Sequence, residues 1–197
     1  MTPLQRKLAS EQLLHTKNID FDSKLPTIEA DFRSRTVEEI ARRAMCLTLV
    51  TLKAEGMTGD EVNEFKREHA IEAYLTRAEK KFLGQKPSDE DGEWVWQFEA
   101  LHVLLWALGY VIELSFPDAE SDVGKELEFL RELGPTGFIE GALLRSNQQL
   151  LDAADWVFRL HQSVVDERNG TDKISEEIVE QWSATLDWLT REEENWQ

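Results

Sequence analysis

At 197 residues, with 41% hydrophobic and 31% charged side chains, the chain has the composition of a folded domain and not of a disordered one. Its 39 acidic and 22 basic residues give a formal charge of −17, so a nucleic-acid duplex or a phospholipid surface repels it and a basic protein attracts it. The single cysteine, Cys46, allows no intrachain disulfide, no apolar run is long enough for a membrane span, and the N-terminus lacks a signal-peptide core, so a cytoplasmic protein is expected.

Helix signals dominate the chain. Residues 3–17, "PLQRKLASEQLLHTK", are expected to form a helix, and 18–32, "NIDFDSKLPTIEADF", to run extended across the helices. Thr36-x-x-Glu39, Thr58-x-x-Glu61 and Thr76-x-x-Glu79 each have capping-box spacing, in which the hydroxyl takes the amide three residues on and the carboxylate reaches back. They predict helices over about 36–55, stopped by Gly56, over about 58–73, and over 76–83, stopped by Gly84. The acidic stretch "SDEDGE" reads as the start of a tryptophan-rich helix over about 88–109 that ends at Gly109. After a turn at Pro117, "DVGKELEFLRELG" predicts a helix ending at Gly134, and "GPTGFIEG" a loop. A long helix from Ala142 and a last one over about 175–190 complete the pattern, with 191–197 an acidic tail. No run of alternating polarity is long enough for a sheet. The expected fold is a single all-α domain over 1–197, a bundle of about eight helices around the tryptophan-rich one.

That helix is apolar on two faces. Trp94, Phe98, Leu101, Leu105 and Leu108 form one, and Trp96, Glu99, Val103, Trp106 and Tyr110 the other. A lone ionised Glu99 among tryptophans would cost several kcal/mol, so it must be neutral or paired. Arg42, Arg43, Arg145 and Arg159 each interrupt an apolar pattern and are its candidate partners, because a guanidinium grips a carboxylate with two bonds while its stem packs on rings. Two readings follow: a buried strut that fixes helix register, or an acid lining a ligand pocket.

At these residues the chain resembles the domain of unknown function 4272 family. "FEALHVLLWALG" is similar to its central motif through Glu99, Leu105, Trp106, Ala107, Leu108 and Gly109. "RTVEEIARRAMCL" matches its arginine-rich helix through Arg42 and Arg43, and "YLTRAEKKFL" its Leu-Thr-x-x-Glu element. "LLRSNQQLLDAADWVFRLH" matches through Arg145, Ser146, Leu151, Asp152, Asp155 and Arg159, and "VEQWSATLDWL" through Leu186, Trp188 and Leu189. The resemblance covers about 30–190. Gln181 and Trp182 depart from it, as does the ending "REEENWQ". It implies a mostly helical fold and no particular activity.

Other constellations point to structure. Glu99-x-x-His102 has di-metal bundle spacing, but no second copy exists, so no metal or cofactor is expected. Asp152, Asp155 and Arg159 share one helix face, as an intrahelical ion-pair row does. With Gly92 at the loop glycine of a calcium site, Pro87 and Phe98 fall where carboxylates are required. Cys46 reads as a small core residue and Trp196 as exposed or touching another chain. His15 and His69 have no evident partners. Two functions compete: a non-catalytic module for a basic protein partner, of immunity-protein or antitoxin kind, or an enzyme or small-ligand binder with a pocket around Glu99 and Arg145 that draws on Arg43 and Asp152. A homo-oligomer held by the C-terminal helix is a third.

Overall fold

Among the described residues, five helices open on one device, a hydroxyl and a side chain that satisfy each other's backbone amides across one turn. The computed structural model describes residues 1–28, 35–86, 94–121, 123–191 and 196. Among these the chain is all-helical: α1 Pro3–Thr16, α2 Val37–Ala54, α3 Gly59–His69, α4 Arg77–Leu83, α5 Gln97–Ala107, α6 Val123–Glu140, α7 Asn147–Val165 and α8 Glu176–Thr190. The three expected capping boxes stand at Thr36, Thr58 and Thr76. Two more, Thr2 with Gln5 and Ser146 with Gln149, use glutamine in place of glutamate. The capping bonds from Thr58 hold the Glu61 carboxyl below its ordinary range, and the Ser175 hydroxyl does the same for Glu177.

Several boundaries differ from expectation. "GPTGFIEG" is not a loop: α6 breaks at Gly134, which takes a positive φ of 62°, and the helix restarts at Pro135. Proline has no amide to lose at a first helical position and its fixed φ suits a restart. α7 starts at Asn147 and not Ala142, because the Ser146 cap sets its first turn. α3 ends at His69, where Ala70 enters the left-handed region. A 3₁₀ turn over 94–96 leads into α5, while "SDEDGE", the expected acidic start, lies outside the described residues.

The chain divides into two compact units, each assembled from separated segments. One comprises the described residues of Met1–Arg35, Ser115–Glu120 and Arg145–Glu194. In it α7 packs against α8 and α1, around Leu14, Leu150, Val157, Leu160, Trp182 and Leu189, all buried. The turn after α1 closes on the turn after α7, with Asp20 N donating to Asn169 O at 3.0 Å. Trp156 meets Phe116 at 5.9 Å and the edge of Trp182 at 6.2 Å.

The other unit comprises the described residues of Thr36–Leu114, Ser121–Leu144 and Asn195–Gln197. Here α2 packs against α3, α4, α5 and α6, and α5 against α2 and α6. Leu101, Val103, Leu104, Leu105, Trp106 and Ala107 are all buried, as a helix apolar on more than one face requires. Thr48 and Thr51 on α2 are buried too, and their hydroxyls donate to Ala44 O and Leu47 O one turn back. Among the described residues no helix is long and apolar enough to cross a membrane.

Candidate functional site

Glu99 sits in the first turn of α5 and is only 2% exposed. Its two oxygens accept from the Ser121 amide and the Ser121 hydroxyl, each at 2.8 Å. Charged acceptors make the stronger class of hydrogen bond. These contacts tie α5 to the segment just ahead of α6.

Arg43 and Glu79 form a buried ion pair between α2 and α4. Glu79 also completes the α4 capping box, so one carboxylate anchors an arginine and starts a helix. The Arg43 guanidinium lies under the Trp196 ring, 5.1 Å from its centroid. Trp196 is therefore half-buried within this unit, where exposure or another chain was expected. Next to it, Arg42 donates to His69 O at 2.9 Å and lies over the Tyr74 ring. Cys46 is fully buried beside this cluster, and burial pushes its thiol up to about 12.

Asp155 and Arg159, on α7, are both completely buried and meet through two bonds, Nε to Oδ2 at 2.9 Å and Nη2 to Oδ1 at 3.1 Å. Arg159 Nη2 also donates to Pro26 O at 2.8 Å, which pins the segment after α1. Asp152, one turn earlier, pairs instead with Arg6 of α1 at 2.9 Å. The expected row of three thus resolves into one intrahelical pair and one interhelical pair. Arg145 lies ahead of α7, half-buried and off the helix face that carries Asp152 and Asp155. Glu99 and Arg43 belong to one compact unit, and Arg145, Asp152, Asp155 and Arg159 to the other. Among the described residues no three His, Cys, Asp or Glu side chains gather as metal ligands would.

A cavity of about 400 Å³ lies elsewhere, among α2, α3 and α6. Thr48, Leu52, Phe65, Glu68, His69, Gly124, Leu127, Leu130 and Arg131 line it. Phe65 and His69 are four residues apart on α3, so their rings share a face, and they stack at 3.8 Å with 9° between planes. His69 Nδ1 lies 3.1 Å from Phe65 O, which can only accept. The proton therefore sits on Nδ1, and Nε2 of the neutral ring is an acceptor. Burial holds the His69 pKa below its ordinary value, so the ring is neutral near pH 7. Glu68 and Arg131 are exposed and put one charge of each sign at the cavity mouth. The sequence showed no partner for His69. The Phe65-x-x-x-His69 spacing was visible, but the partner helices that make it a cavity wall were not.

The described residues thus define a class: an all-helical protein in which Arg43, Asp152, Asp155 and Arg159 are held in ion pairs and Glu99 in two hydrogen bonds. The chain belongs to the domain of unknown function (DUF4272) family, whose model matches residues 6–197. The match reaches past the expected 30–190 at both ends, to take in most of α1 and the tail. Comparison with curated proteins and with solved structures gives no match.

Proposed function

We propose that the protein is a non-catalytic interaction module that receives a basic protein partner, in the manner of an immunity protein or antitoxin. The observation that carries this reading is α8. Its exposed side presents Glu176, Glu177 and Glu180, and the helix from Glu176 to Thr190 contains no lysine or arginine. With a net charge of −17 behind it, such a face attracts a cationic partner over a Debye length and orients its approach. A supporting observation is that Arg43, Asp152, Asp155 and Arg159 are held in ion pairs and Glu99 in two hydrogen bonds, so these groups serve the fold.

The test is a capture experiment with the purified protein as bait, at low and at high salt. A basic protein should be enriched and then lost as salt rises. The purified partner should associate more slowly with a Glu176→Lys, Glu180→Lys variant, at least tenfold at low salt for a steered encounter of about 10⁸ M⁻¹s⁻¹. No basic protein at either salt, or an association rate indifferent to the charge reversal, overturns the reading.

A further inference from the structure

We propose that the cavity among α2, α3 and α6 binds a free amino acid with an apolar side chain. This inference is independent of the basic partner, since it uses α3 and α6 in place of α8. The cavity's size, about 400 Å³, lies at the small end of the range for ligand pockets, which suits a metabolite and not a peptide. Its wall is mainly apolar: Leu52 from α2, Phe65 from α3, and Leu127 and Leu130 from α6. Phe65 has one ring face against His69 and is itself only half-buried, so its outer side remains for a guest to pack on.

The polar groups select the head of the ligand. Glu68 and Arg131 both line the cavity and both are exposed. Two opposite charges at one mouth match a molecule that carries both, an α-ammonium for Glu68 and an α-carboxylate for Arg131. An anion alone would meet the repulsion of Glu68, and a cation alone that of Arg131. His69 adds a neutral ring to the wall, and burial keeps a third charge out of the site. Gly124 adds no side chain, so the backbone of α6 stands open to the guest.

Calorimetric titration of the full chain separates the possibilities. The probes are L-phenylalanine, L-leucine, 3-phenylpropionate, which lacks the ammonium, and 2-phenylethylamine, which lacks the carboxylate. At least one amino acid should bind, and both single-charge analogues should bind it more weakly by about tenfold or more. Arg131→Gln and Glu68→Gln should each weaken the amino acid by a similar factor. Leu52→Trp, which fills the cavity from α2, should abolish binding while the melting temperature holds. Leu127→Phe serves the same purpose from α6 should the first variant fold poorly. Silence from all four probes overturns the proposal, as does an analogue that binds equally well. Binding that survives in a folded cavity-filled variant places the site elsewhere and overturns it too.

Discussion

Replacing Asp155 with alanine gives the sharpest test of the strut reading. Asp155 and Arg159 are both 0% exposed, and the carboxylate meets two of the guanidinium's nitrogens. With the carboxylate gone, the guanidinium keeps one described acceptor, Pro26 O, and cannot reach water without opening α7. Breaking a buried pair from one side costs about 3–5 kcal/mol, because the surviving charge stays buried and uncompensated. Domains of this kind have about 5–15 kcal/mol in total, so the variant loses a large share of its stability. At roughly 2–4 °C per kcal/mol for a chain of this length, the melting temperature should fall by about 6–20 °C. Thermal and urea denaturation followed by circular dichroism measure it. The double variant Asp155→Leu, Arg159→Met removes both charges and leaves only Pro26 O short of a donor, a cost of about 1–3 kcal/mol. The double should therefore be milder than the single. A single variant within about 1 kcal/mol of the parent refutes the reasoning, as does a double variant that is the worse of the two.

Glu99→Ala should also destabilise, by about 3 kcal/mol or more, as two charge-assisted bonds to Ser121 go; urea denaturation that leaves the midpoint unchanged would contradict the strut. Cys46, its thiol pushed up to about 12 by burial, should react with a disulfide reagent at pH 8 only as fast as the chain unfolds, and rapid stoichiometric labelling of native protein would refute its burial. For His69 the sign runs towards acid lability. The folded pKa lies below the unfolded value near 6.5, so the unfolded chain takes the proton first. Its contribution is whole above that value and shrinks as pH falls towards the folded pKa. Over that range a His69→Gln variant should show a shallower loss of stability than the parent, and parallel curves would refute the assignment. Gly170 has φ +87°, and a Cβ there would stand 2.1 Å from Asn18 O, whereas Gly56 at φ +109° has open space. Both alanine variants suffer the left-handed penalty of about 1–2 kcal/mol, but Gly170→Ala must also push a backbone aside and should melt clearly lower.

What could be read from the sequence was what lies within a turn or two of itself. Thr36, Thr58 and Thr76 announced their helices because a capping box spans four residues, and Asp155 with Arg159 announced a pair because four residues make one turn. Ser146 did the same with glutamine, but the apolar residues Leu143 and Leu144 ahead of it resembled more helix. Gly134-Pro135 resembled a loop because proline signals a break and a restart equally. Partners from distant segments left no trace. Nothing about Arg6 indicates Asp152, 146 residues on, and Ser121, an uncharged residue next to a turn, gives no hint that it holds Glu99. The cavity needed three helices placed together, and no local pattern carries that.

The interleaving of the two units has a consequence for the nascent chain. α1 is made before α2 to α8, yet the helix it packs on, α7, leaves the ribosome more than a hundred residues later. Until then the inward side of α1, with Arg6, Ser10 and Leu14, lacks the helix it packs on, while α2 to α5 emerge in succession and can close on one another. Segment 115–120, delivered midway, also waits, because Phe116 stacks on Trp156. A premature stop between α5 and α7 thus releases a chain with α2 to α5 packed and its first helix stranded. α7 and α8 complete what α1 began.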